Sequence, residues 1–192
     1  MEQQERLFWQ FKKKAELLSA QVLRFPDLKP GWPILAEILA GKGVKRVVCP
    51  VLCNQIKGWP SPELTAGGLT VFFREEEVLE QAAQADAGII GPALAVAETG
   101  SLLQIAEDVS RRLAGMLPPI VVALVSTRQL VANLEEAFSY LEQLPQIPGY
   151  LSFISGPSRT ADIERTLTLG VHGPRELIIA FLDEAGVQIA GV

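Results

Sequence analysis

The sequence predicts one α/β domain in which a mostly parallel sheet is covered by helices on both faces. Three observations point there. The 192 residues are 48% hydrophobic and 20% charged, the balance of a chain that buries a core rather than one that stays disordered. The long apolar runs, Ala87 to Ala97 and Met116 to Val125, are cut by Gly91, Pro92, Pro118 and Pro119. They are too short to cross a membrane and read as buried strands. Strand-like runs also alternate with helical ones, the order that builds βαβ units.

The elements follow in chain order. Residues 3–23 carry Leu7, Phe11, Leu17, Leu18 and Val22 at helical spacing. Pro26, Pro30 and Pro33 then predict a loop, and Ile34 to Ala40 a short helix stopped by Gly41 and Gly43. Arg46 to Leu52 reads as the first buried strand. A Pro/Gly-rich connection, Gly58 to Gly68, leads to a second, Leu69 to Phe73. Glu75 to Ala85 is a helix whose acidic first turn suits its dipole. Ala87 to Ile90 and Leu94 to Ile105 are strands around Gly91-Pro92, and Pro118-Pro119 introduces another at Ile120 to Val125. Leu130 to Leu144 is an amphipathic helix and Tyr150 to Ser155 a strand. Thr160 to Leu169 reads as a helix closed by Gly170. Glu176 to Leu182 is a last long strand, with a short hairpin through Gly186 to Val187–Ile189.

Net charge is −5, which argues against non-specific nucleic-acid binding. Residues 1–57 nevertheless hold ten Lys/Arg against five Asp/Glu, a solvated helix face or a docking surface for an acidic partner. No apolar leader follows Met1 to Arg6, so a cytoplasmic chain is expected, with Cys49 and Cys53 reduced. Two cysteines and one histidine do not make an iron–sulfur or zinc ligand set. No Gly-x-Gly-x-x-Gly, phosphate-loop Gly-Lys-Ser/Thr or Gly-x-Ser-x-Gly motif is present.

Three segments carry candidate chemistry. In Ser155-Gly156-Pro157-Ser158-Arg159-Thr160, a strand ends, a Gly-Pro turn follows, and the expected helix opens on hydroxyl residues. Beyond the carboxyl end of a strand, a helix N-terminus with the Arg159 fork suits an anion. The plainer reading is that Ser158 or Thr160 caps the helix. In Gly170-Val171-His172-Gly173-Pro174, His172 is a candidate acid or base, or a loop residue bonded to backbone. In Ala97-Glu98-Thr99-Gly100-Ser101, Glu98 is the only charge in an apolar stretch, a second candidate catalytic group. Its alternative is a turn with Glu98 paired to Arg111 or Arg112. Thr99, Gly100, Ser101, Gly156, Ser158, Arg159 and Thr160 are the candidate ligand-binding residues.

The run Ile154 to Glu164, followed by Gly170-Val171-His172-Gly173-Pro174, closely resembles the C-terminal signature of the lactate utilization protein C family, the LUD domain. Ala97 to Ser101, and Arg111 to Pro119 leading into Ile120, are similar to that family as well. The resemblance covers roughly residues 30–182. It implies a three-layer Rossmann-like fold, shared with ribose-phosphate isomerases, CoA transferases and 5-formyltetrahydrofolate cyclo-ligases. Residues 1–29 would then be an N-terminal helical extension and 30–192 the LUD-type domain. It further implies a non-redox component of a three-part cytoplasmic system oxidising L-lactate to pyruvate. The iron–sulfur clusters would sit in partner subunits, and this chain would hold no cofactor and bind at most a small anionic ligand. The rivals are a stand-alone isomerase or acyl/CoA-type transferase, and a non-catalytic assembly module. Where family members often carry a Thr and an Asp, this chain has Ile90 and Ala93.

Overall fold

The computed structural model describes residues 2–50, 68–146, 148–161, 167–169 and 173–183. Its centre is built by the apolar runs. Strands β1 (Gln21–Phe25), β2 (Arg46–Val48), β3 (Thr70–Phe72), β4 (Ala87–Ile90), β7 (Ile120–Ser126) and β12 (Glu176–Leu182) form one six-stranded sheet. Its order is β1-β12-β7-β4-β2-β3, and every pairing is parallel. The α/β class with a mostly parallel sheet is therefore correct. Strands β4 and β7 are buried along their whole length, which is why their sequences are continuously apolar rather than alternating.

A second sheet has the order β8-β5-β6-β9, with β5 (Leu94–Val96), β6 (Ser101–Ile105), β8 (Leu130–Val131) and β9 (Leu151–Ile154). A separate antiparallel pair joins β10 (Arg159–Ala161) to β11 (Leu167–Leu169).

Helices close both faces of the central sheet. On one side lies α2 (Leu28–Gly41), whose Trp32, Leu35 and Leu39 join Val47, Ile89, Val122 and Ile178. On the other lie α1 (Glu2–Leu17), α3 (Glu75–Gln81) and α4 (Val109–Met116), together with the inner face of the second sheet. There Phe8 and Phe11 meet Phe181 edge-on at 5.4 and 5.1 Å between ring centroids. Helix α5 (Leu134–Glu142) covers the outer face of the second sheet through Ala137, against Leu94, Val96 and Leu103. Among the described residues, no helix is long and apolar enough to cross a membrane.

Several sequence expectations need correction. The helix expected over 3–23 stops at Leu17, and its tail is strand β1. The chain reverses through Ser19, which adopts φ 68°, while the Ala20 N–H bonds the Ala15 carbonyl at 3.1 Å. Residues 2–29 supply an edge strand and three buried aromatics, Phe8, Phe11 and Phe25. The loop expected at Pro26–Pro33 is mostly helix: Asp27 caps α2 by accepting the Lys29 N–H at 2.6 Å. Pro30 falls in the first turn, where its missing N–H had no helical partner to lose. The helix expected at 130–144 begins only at Leu134, after strand β8. Most consequentially, the helix expected over Thr160–Leu169 does not form at either end. Arg159–Ala161 pairs antiparallel with Leu167–Leu169 instead. The 187–189 hairpin and residues 51–67, Cys53 among them, lie outside the described residues.

The amino ends of β2 and β4 are tied by one carboxylate. Asp86 accepts the Lys45 and Arg46 N–H groups at 2.9 and 2.8 Å. Partial burial pushes its pKa up, but the two N–H bonds and the nearby Lys45 and Arg46 charges outweigh that. They hold it below the ordinary value of 3.8. A depressed folded pKa gives stability that is present above 3.8 and lost as pH falls through the folded value. Asp86→Asn is therefore expected to cost roughly 1 kcal/mol at neutral pH, with the deficit closing on acidification. Urea unfolding at neutral pH and near pH 3 checks this. A deficit that persists undiminished in acid would assign the effect to shape rather than charge.

Candidate functional site

The two glycine turns singled out in the sequence meet the end of α1. Gly100 turns β5 into β6 with φ 68°, and a Cβ there would lie 2.5 Å from the Ala15 nitrogen. Gly156 follows β9 with φ 110°, and its Cβ would lie 2.6 Å from the Leu18 carbonyl oxygen. Both positions demand glycine twice over, by conformation and by contact. The turns are joined by Ser101 and Ser155, whose hydroxyl oxygens are 2.6 Å apart. The close backbone approach at these glycines is made to the last turn of α1 and to Leu18 just beyond it.

Glu98 is exposed and points to the start of α5, where its Oε2 accepts the Leu134 N–H at 3.4 Å. It pairs with neither Arg111 nor Arg112, whose bonds go elsewhere. The Thr99 hydroxyl is buried and has no hydrogen-bond partner among the described residues. Arg159 and Thr160 lie in strand β10, so the helix N-terminus on which their anion site was to rest is replaced by a hairpin. His172 lies outside the described residues.

A cleft of ≈ 290 Å³ opens between α4, β6, β9 and the segments at 155–158 and 173–174. Ser155, Gly156 and Ser158 follow the carboxyl end of β9, as expected of a ligand-facing loop. Strand β9, however, belongs to the second sheet. Relative to the central sheet the cleft sits at the amino ends of β7 and β12, with Val121 in its wall. The two C-terminal motifs border it together: the Ser158 N–H donates to the Pro174 carbonyl at 2.8 Å.

Ser155 and Ser158 apart, the polar groups of the cleft were not among the residues singled out as a site in the sequence. On β6, Gln104 stands opposite Ser152 of β9, and both line the cavity. Gln104 is 4% exposed. Its Nε2 reaches the Ile105 carbonyl at 3.4 Å, while its Oε1 has no partner among the described residues. From α4 come Arg111 and Arg112. Asp108 caps that helix by accepting the Arg111 N–H at 2.8 Å, and its other oxygen holds the Arg111 Nε at 2.9 Å. Arg112 donates to the Glu107 carbonyl at 3.1 Å and lies over Tyr150, 5.5 Å from the ring centroid. Nothing among the described lining residues is anionic. Two guanidinium groups beside hydroxyls and an amide make a site for a small anion carrying hydrogen-bonding groups. The available signals were Gln104 inside an otherwise apolar strand and the adjacent Arg111-Arg112 pair.

The family model described as LUD domain matches residues 10–182. Lactate utilization protein C of Shouchella clausii (strain KSM-K16) is 35% identical over 109 residues, which is 55% of this chain and 48% of that protein. Lactate utilization protein C of Geobacillus sp. (strain WCH70) is 28% identical over 180 residues, 83% of this chain and 75% of that protein. The chain thus spans about half the length of the first relative and three quarters of the second. The crystal structure of a DUF162 family protein from Deinococcus radiodurans aligns with a TM-score of 0.56 at 22% identity, covering 93% of this chain and 98% of that one. That likeness supports the fold.

Proposed function

The chain belongs to the LUD domain family, and from that membership we propose that it is the non-redox component of a cytoplasmic system oxidising L-lactate to pyruvate. The observation that carries this reading is that its relatives over most of the domain are named lactate utilization protein C. The cleft adds chemical support, since Arg111 and Arg112 present guanidinium groups where a short carboxylate would bind. Oxidation of lactate breaks the C2–H and O–H bonds and releases two electrons and two protons. A protein handles such electrons through a nicotinamide, flavin, metal or cluster. In this reading the acceptors are iron–sulfur clusters of partner subunits, and this chain carries no cofactor of its own.

Reconstitution tests the division of labour. The isolated chain, purified anaerobically, is expected to show no visible absorbance, no stoichiometric iron and no lactate-dependent dye reduction. Adding it to the iron–sulfur subunits should raise their lactate oxidation by at least about 100-fold, the scale of removing a positioned catalytic component. A flavin band or bound iron in the isolated chain would overturn the non-redox assignment. Partner subunits that oxidise lactate equally well without it would overturn the reading as a whole.

A further inference from the structure

We infer that the amino-end cleft binds a short 2-hydroxycarboxylate and that Gln104 reads its hydroxyl, so the site favours the hydroxy acid over the corresponding oxo acid. The inference rests on the lactate reading only for its choice of probes. The geometry itself begins with Gln104. It is nine-tenths buried in strand β6 beside the cleft, and its Oε1 lacks a donor among the described residues. A buried amide oxygen left unbonded is costly, so it is met in folded proteins where something else supplies the donor.

The orientation of that amide follows from its neighbour. The Ile105 carbonyl can only accept, so the Gln104 nitrogen is the atom that faces it. The oxygen is left without a donor and is sealed from solvent, so a ligand hydroxyl in the cleft that Gln104 lines meets it when the terminal amide turns outward. An alcohol O–H satisfies it; a ketone oxygen offers no proton. Across the register pair, Ser152 adds a hydroxyl on the same face of the sheet.

The carboxylate end follows from α4. Asp108 holds Arg111 through Nε, and the terminal guanidinium nitrogens make no hydrogen bond to the described residues. That leaves a planar pair of donors for a carboxylate. Arg112 is held by two backbone carbonyls and the Tyr150 ring, so it contributes charge at a fixed place. A cleft of ≈ 290 Å³ has room for a compact acid.

Titration calorimetry on the full chain with L-lactate and pyruvate tests the inference, alongside NMR of the glutamine side-chain amides. L-lactate should bind at least about tenfold tighter than pyruvate, the scale on which a site built to bond a hydroxyl rejects an analogue lacking it. Lactate should also shift the Gln104 side-chain N–H₂ resonances. Gln104→Leu should bring lactate down to the pyruvate affinity, and Arg111→Gln should weaken both acids about tenfold alike. Melting curves of the variants establish that they are folded, and the resonance shift in the unaltered chain does not depend on them. Equal affinity for the two acids, an unmoved Gln104 amide, or no lactate binding up to about 10 mM would each overturn it. A chain that supports lactate oxidation in reconstitution yet fails these tests overturns the cleft assignment alone. One that passes them yet is dispensable for oxidation overturns the functional reading alone.

Discussion

Phe181→Ala is expected to destabilise the protein by about 3–5 kcal/mol, the cost of deleting a fully buried aromatic ring whose site cannot collapse. Phe181 is 0% exposed on β12, which pairs with β7 on one side and β1 on the other. Its ring is clamped edge-on by Phe8 and Phe11 of α1. Removing it leaves a cavity walled by rigid sheet on one side. It also removes the contact that fastens α1 to the sheet. For a chain of this length each kcal/mol moves the melting temperature by roughly 2–4 °C, so a fall of about 10 °C is expected. Leu17→Ala is the control: Leu17 is 71% exposed and should change stability by less than about 0.5 kcal/mol. Chemical denaturation of both variants settles the matter, and a Phe181→Ala loss below about 1 kcal/mol would mean that α1 is not anchored there.

The central sheet was legible because burial on both faces leaves one signature, a continuous apolar run between Gly and Pro. Ile120–Ser126 and Glu176–Leu182 are the clear cases. The failures have physical causes. Residue 19 reverses the chain in the left-handed region without being glycine, so no stop signal marked the end of α1. Val22 then continued the helical spacing by chance into β1. At 160–169, the hydroxyl residues at its start and Gly170 at its end suggested a capped helix, while Leu167-Thr168-Leu169 alternates as a strand does. Short segments satisfy both patterns, and the tertiary pairing decides between them. Pro30 of α2 misled for the opposite reason, since a first-turn proline costs a helix nothing, while Pro33 lies inside a helix that continues through it.

The site was less legible than the fold. The glycine motifs were found because glycine marks turns, and Gly100 and Gly156 both turn the chain at positive φ, packed against the end of α1 and Leu18. Glu98 stood out as a lone charge in an apolar run, yet β5 and β6 are separated by a turn that carries it to the surface and to the start of α5. The cleft, by contrast, is assembled from residues far apart in sequence. Gln104, Arg111, Tyr150 and Pro174 share it only because β6 pairs with β9 and α4 runs beneath. None of those pairings is visible in local pattern.

Gly88→Ala is expected to cost about 3 kcal/mol or more, the upper range for forcing extra volume into a packed core, and to weaken lactate binding with it. The reason is the closeness of α4 to β4. A Cβ on Gly88 would lie 1.9 Å from the Ala114 carbonyl oxygen, 2.9 Å from its carbon and 3.1 Å from the Pro118 Cγ. Two of these atoms are backbone, so no side-chain rotation relieves the clash, and the helix itself must move off the sheet. Helix α4 carries Arg111 and Arg112, so the shift displaces the carboxylate end of the cleft. The matched control is a glycine on the same interface. At Gly115 a Cβ would meet only the Ile90 Cγ2 at 3.5 Å, an ordinary contact. Gly115→Ala sits within α4, where alanine is the better helix former by roughly 0.8–1 kcal/mol. It should leave the melting temperature unchanged or raise it by a few degrees. One methyl group thus has opposite effects at two glycines of one helix–sheet contact, and only the distance to backbone distinguishes them. Thermal melts of the two variants decide: comparable losses at both positions would mean that α4 does not rest on β4 through Gly88.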